Sequence, residues 1–234
     1  MKRSAALLLA LGTAIVLASA ASAQRAAGQN DETAVARLLS ALKASPSDES
    51  TRTALRVLVS RQPPVARDLD ERIRDAFRAS ARVAAETLDP PGEPGEIMQV
   101  EGRVTDASGR AVAGALVYVF HADSTGWYAR QGEMDERHPR LYAYMRTGAD
   151  GRYSFRTARP GGYQKSYQGR LIPSHIHFDV SAAGLPQRRF QLVFDDDPRM
   201  DGYWREWARR QNHPIAAVGR RGGLAHCVVD ISLM

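Results

Sequence analysis

The sequence predicts a mainly β protein, an antiparallel β-sandwich preceded by a small α-helical N-terminal segment. Three observations predict it. After residue 96, short runs rich in valine, tyrosine and phenylalanine alternate with turn signals such as Asp106-Ala-Ser-Gly109 and Ala149-Asp-Gly151, the texture of strands folded back on one another. Between residues 31 and 88, apolar side chains recur instead at helical spacing. Asp89-Pro-Pro-Gly-Glu-Pro-Gly95 separates the two textures, because proline and glycine interrupt both periodicities. The 234 residues are 44% hydrophobic and 25% charged. That composition suits one domain plus a small extra unit and excludes disorder of the whole chain.

Residues 1–23 read as a signal peptide. Lys2 and Arg3 precede an apolar core over residues 5–20, and Ala21-Ser22-Ala23 supplies the small-x-small cleavage pattern. Cleavage after Ala23 is expected, which makes the mature chain secreted or periplasmic and free of the membrane. It removes two basic and no acidic residues, lowering the net charge from +6 to +4.

Residues 24–95 form the helical region and linker. Val35, Leu38, Leu39 and Leu42 share one helix face. Leu55, Leu58 and Val59 mark a second helix, capped by Ser47 or Asp48 and ended by Pro63-Pro64. A third is expected from about Val65 to Leu88, with Leu69, Ile73, Ala76, Phe77 and Val83 on one face. This unit has three uses open to it: packing on the main domain, pairing two copies of the chain as a homo-oligomer, or acting as a spacer.

Residues 96–234 form the β domain. Strands are expected at Met98–Thr105, Ala115–His121, Arg152–Thr157, His175–Ser181, Gln191–Phe194 and Ala225–Ser232. The basic excess is spread along the chain as arginine with no nucleic-acid-binding motif, which argues against a nucleic-acid partner. Cys227 is the only cysteine, so neither an intrachain disulfide nor a cysteine-rich metal site is possible. It reads as a buried small hydrophobe in an apolar strand.

The strongest local signal is His175-Ile176-His177. Side chains alternate along a strand, so the two imidazoles face one side, about 7 Å apart at the backbone. Ile176, Phe178 and Val180 face the other. Upstream, Tyr128 and Tyr163 each follow a strand in glycine-containing loops, Gly126-Trp127-Tyr128 and Pro160-Gly161-Gly162-Tyr163. By spacing alone they read equally well as ordinary loop tyrosines. As ligands they would be hard anionic donors. A phenol's free pKa of about 10 is overcome near neutral pH only by a strongly acidic cation. Ferric iron meets that demand, whereas zinc more often takes histidines with carboxylate or thiolate.

Residues 99–197 resemble the intradiol ring-cleavage dioxygenases, the group of catechol 1,2-dioxygenase and protocatechuate 3,4-dioxygenase. The resemblance lies in Val100-Glu-Gly-Arg-Val-Thr-Asp-Ala-Ser-Gly109, Gly114-Ala-Leu-Val-Tyr-Val-Phe-His-Ala-Asp123, Gly126-Trp-Tyr128, Arg146-Thr-Gly-Ala-Asp-Gly-Arg-Tyr-Ser-Phe-Arg-Thr157, Pro160-Gly-Gly-Tyr163, His175-Ile-His-Phe178 and Gln191-Leu-Val-Phe194. The first half of this set also occurs in transthyretin-like and carboxypeptidase-regulatory-like sandwiches. The specific part is the quartet Tyr128, Tyr163, His175 and His177.

The resemblance implies one non-haem Fe(III) held by these four residues and a hydroxide, with Tyr128 and His175 equatorial and Tyr163 and His177 axial. A catechol would bind through both oxygens, displacing Tyr163. Ring opening between the hydroxylated carbons with both atoms of O2 would give a muconate-type diacid. Gln191 matches a glutamine that lines the family's active site. One position departs: Ile172 stands where the family carries an arginine that stabilises charge on the rearranging intermediate. Arg170, two residues earlier, is the candidate to replace it. Loss of that charge would weaken electrostatic stabilisation and leaves a second reading open, a non-catalytic β-sandwich binding module that kept the family frame.

Other features read as structural. Asp195-Asp196-Asp197-Pro198 is a polar turn, and Trp204 and Trp207 with Arg205, Arg209 and Arg210 mark an amphipathic helix or loop. His121 ends a strand as a structural residue, and His138, His213 and His226 show no partner pattern.

Overall fold

The computed structural model describes residues 29–61, 65–129 and 134–234. The signal-peptide expectation and the Pro63-Pro64 stop lie outside these residues. Among the described residues the protein is mostly β, with four helices. None of the described helices is long and apolar enough to cross a membrane.

Helix α1 covers 29–44, α2 Glu49–Val59 and α3 Arg67–Ala79. Asp48 caps α2 by accepting a hydrogen bond from the Thr51 amide at 2.8 Å, which satisfies one of the helix's unpaired N–H groups. Strands β1 (Arg82–Val83) and β2 (Ala85–Thr87) follow, then β3 (Ile97–Asp106), β4 (Leu116–His121), β5 (Leu141–Arg146), β6 (Arg152–Ala158), β7 (Ser166–Tyr167), β8 (Arg170–Leu171), β9 (His175–Ser181) and β10 (Arg188–Phe194). Helix α4 (Gly202–Arg210) precedes β11 (Ile215–Ala216), β12 (Gly219–Arg221), β13 (Leu224–Val228) and β14 (Ile231–Leu233).

One sheet runs β1-β5-β4-β9-β10-β11 and a second runs β12-β13-β3-β6-β2, with β14 added on β3. Their inward side chains, including Val100, Phe155 and Cys227 from one and Val117, Val119, Ile176, Phe178 and Leu192 from the other, form one apolar cluster. The central pairings β3/β6, β4/β5, β4/β9 and β9/β10 are antiparallel. The flanking pairs β1/β5, β2/β6, β10/β11, β13/β3 and β14/β3 are parallel.

Three expectations change. The third helix stops at Ala79, and Val83 is 66% exposed on β1 rather than on a helix face. Residues 82–87 instead step from one sheet to the other. Ala84 adopts a left-handed φ of 67°. Its N–H donates to the Arg146 carbonyl of the first sheet at 2.8 Å, and its carbonyl accepts from the Ser154 amide of the second at 2.8 Å. Tertiary pairing overrides helix propensity here. Strand β5 was not expected at all. Leu141, Ala143 and Met145 are buried on one of its faces, and Tyr142 and Tyr144 are buried on the other beneath the helices. A strand buried on both faces lacks the apolar–polar alternation that betrays a half-buried one. The last expected strand is two, β13 and β14, separated at Val229-Asp230.

The helices pack on the outer face of the first sheet. Leu55, Leu69, Ile73 and Phe77 meet Tyr142 and Tyr144. Buried arginines tie this layer down. Arg56 donates to the Leu88 and Tyr142 carbonyls at 3.1 and 2.9 Å. Arg74 donates to the Pro139 carbonyl at 2.6 Å and lies 4.2 Å over the Tyr142 ring. Part of the arginine excess is therefore structural.

Candidate active site

Three separate constraints place the quartet. His175 and His177 lie on β9 and point away from the inter-sheet core, while Ile176, Phe178 and Val180 point into it. Tyr128 lies in the connection after β4. That connection is held by Asp123, whose carboxylate accepts from the Thr125 and Trp127 amides at 2.9 and 3.2 Å. Tyr163 lies between β6 and β7, and its N–H donates to the Ile172 carbonyl at 3.1 Å. Two glycines let these segments meet: a Cβ on Gly126 would sit 2.3 Å from the Gly162 carbonyl oxygen, and one on Gly162 would sit 2.2 Å from Arg199 Nη1. Only a residue without a side chain fits such an approach.

The four donor atoms converge. Tyr128 Oη lies 2.8 Å from His177 Nε2, and Tyr163 Oη lies 2.9 Å from His175 Nε2 and 3.4 Å from His177 Nε2. The two phenol oxygens touch each other. Tyr163 also donates to Glu136 Oε1 at 3.2 Å. His175 Nδ1 lies 2.8 Å from the Pro173 carbonyl. A carbonyl only accepts, so Nδ1 carries the hydrogen and Nε2 keeps its lone pair for the centre. The His177 ring is stacked on Phe120, 4.4 Å between centroids and 3° from parallel.

Burial sets the charge state. Desolvation holds His175 down to about 4 and, with the neighbouring imidazoles, His177 down to about 2, so both imidazoles are neutral near pH 7. Desolvation also pushes both phenols well above their ordinary value, helped for Tyr163 by Tyr128. Among the described residues no group of three or more His, Cys, Asp or Glu side chains is placed to hold a metal. A metal here depends on phenol oxygens, and two neutral imidazoles with two phenols suit a cation acidic enough to keep them ionised.

Gln191 sits directly across from His177 in the β9/β10 register. Beside them a cleft of about 400 Å³ is lined by residues that include Tyr118, Phe120, His177, Asp179, Arg189, Gln191 and His213. That volume lies in the usual range of small-molecule sites. Arg170 is not brought to the quartet. Its guanidinium pairs with Asp201 at 2.8 Å and lies 4.7 Å over the Tyr203 ring, by α4. Ile172 packs against the cluster of Ala122, Tyr128 and Tyr163, so an apolar side chain stands where the resemblance expects a cation.

Sequence reading missed the residues behind the site. Asp197 accepts from the Ser174 amide and hydroxyl at 2.8 and 2.5 Å and from the Arg199 amide at 2.7 Å. Arg199 Nη1 donates to the Tyr163 and Ile172 carbonyls at 2.9 and 3.2 Å. The acidic turn therefore joins the Tyr163 loop to the start of the His175 strand. Only its acidic run was visible in the sequence. His213 and Glu136 carried no signal at all.

A second buried network joins the strand ends that lead to both tyrosines. His121 Nδ1 meets the Ala122 carbonyl at 2.7 Å, its Nε2 meets Thr157 Oγ1 at 2.6 Å, and Thr157 Oγ1 lies 2.9 Å from Asp89. Thr157 has one hydroxyl hydrogen and two neighbours, so full pairing needs one more proton. Burial pushes Asp89 up to about 6 and His121 down to about 4, which puts that proton on Asp89. A carboxyl raised above its unfolded value of 3.8 keeps its proton longer in the folded chain. Stability then falls as pH rises from about 4 to about 6, by at most about 3 kcal/mol. Asp89→Asn, which keeps a donor toward Thr157 and an acceptor toward Ala158, is expected to flatten this slope without loss of stability at pH 7. Urea midpoints compared at pH 4.5 and 7 check it, and an unchanged slope would exclude Asp89 as its source.

Comparisons with known proteins point to one family. A family model described as Dioxygenase matches residues 75–211. Catechol 1,2-dioxygenase 2 of Acinetobacter lwoffii is 36% identical over 135 residues, 52% of this chain and 47% of that protein. The protocatechuate 3,4-dioxygenase beta chain of Burkholderia cepacia is 33% identical over 148 residues, 56% of this chain and 62% of that one. The chain spans about half the length of the first two curated relatives it matches. The crystal structure of catechol 1,2-dioxygenase from Pseudomonas arvilla C-1 superposes with a TM-score of 0.51 at 23% identity, over 88% of this chain and 77% of that one. The converging phenols and imidazoles, the fold and the family match together make this chain a member of the intradiol ring-cleavage dioxygenase family.

Proposed function

We propose that the chain is an exported dioxygenase with one non-haem Fe(III), cleaving a catechol-type ring between its two hydroxylated carbons with O2 to give a muconate-type product. In this reading the catalytic unit is an antiparallel β-sandwich carrying a helical N-terminal segment. The observation that carries it is the convergence of Tyr128 Oη, Tyr163 Oη, His175 Nε2 and His177 Nε2 on one point.

Those four side chains would hold the ion, which supplies Lewis acidity and a two-point template for the ring oxygens. The chain's own residues do the rest. The Pro173 carbonyl fixes the His175 ring, and Phe120 fixes that of His177. With the ion bound and its phenol ionised, Tyr163 Oη would be placed to accept a proton from a substrate hydroxyl. Ile172, packed against the cluster that contains both tyrosines, helps keep water from it. Gln191, opposite His177, lines the approach of the ring.

The test is direct. Protein supplied with ferric iron is expected to bind one ion per chain, to show a visible tyrosinate-to-iron absorption band, and to consume O2 with at least one member of a catechol panel. A colourless, iron-free protein would exclude the metal reading. Iron binding without O2 uptake would favour the binding-module reading, which the placement of Ile172 and Arg170 supports. Export is checked by the mature N-terminus, expected at Gln24.

A further inference from the structure

His213 belongs to no motif, yet it is placed with care. It follows Asn212, whose φ of 55° turns the chain sharply after α4. Its amide donates to the Ala208 carbonyl at 2.8 Å, and its ring stands edge-on to Trp207 at 4.8 Å. Its Nδ1 lies 3.3 Å from the Gln191 amide. An amide N–H only donates, so Nδ1 holds a lone pair and the ring hydrogen sits on Nε2. Nε2 has no partner among the described residues, and the ring lines the same cleft as His177 and Gln191. Burial holds His213 below its ordinary value, so near neutral pH it offers one N–H and no charge.

The cleft thus has chemically different ends. At one is His177, a member of the quartet. At the other, beyond Gln191 on β10, is a fixed N–H donor unpaired among the described residues, while Tyr118 and Phe120 on β4 form an aromatic wall on the far side of His177. A ring seated with its two hydroxyls toward the quartet turns its other edge along Gln191 toward His213.

We propose that His213 is a specificity-determining residue whose Nε2–H meets an oxygen substituent on the bound ring, so that the site prefers catechols carrying a third ring oxygen over those carrying an apolar group there. This rests on the catechol reading of the site. A half-buried donor left without an acceptor loses its hydrogen bond to water, so a methyl group in place of the oxygen is disfavoured rather than merely neutral.

The test is anaerobic binding to the iron-loaded full chain, read by calorimetry, which needs no turnover. The probes are matched pairs: 1,2,4-trihydroxybenzene with 4-methylcatechol, and 1,2,3-trihydroxybenzene with 3-methylcatechol. Hydroxyl and methyl have nearly the same size, so each ratio of Kd values reads the hydrogen bond. In at least one pair the natural protein is expected to favour the hydroxyl by about three- to tenfold. His213→Leu is expected to bring that ratio near one, and His213→Asn, which keeps a donor, to restore part of it. Ratios near one in the natural protein, or a preference that His213→Leu leaves intact, would overturn the inference. Discrimination is read in the natural protein first, so misfolding of a variant does not shelter the proposal. Failure of every catechol to bind would instead bring down the catechol reading itself, and this inference with it.

Discussion

Glu86→Gln is expected to lower the unfolding free energy by about 3–5 kcal/mol, because it leaves buried guanidinium groups without their counter-charge. The Glu86 side chain is 2% exposed and lies between Arg52, 1% exposed, and Arg56, 8% exposed. Arg52 contacts one carboxylate oxygen and Arg56 stands 3.2 Å from the other. Burial already holds Arg52 below its ordinary value, with Glu86 opposing that shift. Arg56 also binds the Leu88 and Tyr142 carbonyls, so the cluster clamps α2 to the linker and to β5. Urea unfolding measures the effect. Glu49→Gln is the comparison, since Glu49 is 65% exposed in its pair with Arg82 and exposed pairs contribute about 1 kcal/mol or less. Equal, small losses in both variants would show that the cluster is not a structural anchor.

His175→Ala is expected to have the largest functional effect. It removes one of four converging donors and the Nδ1 contact that orients it. Loss of an outer-shell partner alone typically costs 10–100-fold in metal affinity or activity, so under the proposed ferric reading, in which His175 is a ligand, its loss should lower O2 uptake by more than about a hundredfold and leave little bound iron. His138→Ala, whose ring pairs with Asp135, is expected to keep both. Metal content and oxygen consumption on the same samples check the pair. Full iron occupancy in His175→Ala would remove this residue from the metal site.

The site was legible where local periodicity carries the chemistry. His175 and His177 share a strand face by the geometry of any strand, and β9 begins and ends where the sequence places it. Tyr128 and Tyr163 were legible only through resemblance to a family, because nothing in the loop spacing brings positions 35 residues apart into contact. Arg170 shows the limit. Nearness in sequence to Ile172 suggested a replacement cation, but the short β7/β8 pair directs it to Asp201 instead. Arg199, some 27 residues beyond Ile172, is the arginine that touches that segment.

By itself the sequence determined the class of fold, the division into helical and β textures, the two-histidine face and the burial of Cys227, which is 1% exposed. Each of these follows from residue type and short-range periodicity. Only the tertiary structure decided that β5 exists, that residues 82–87 bridge two sheets, and that His213 closes the cleft beside Gln191. These depend on contacts between distant segments, where burial on both faces erases alternation and a side chain's role is set by what another part of the chain places against it.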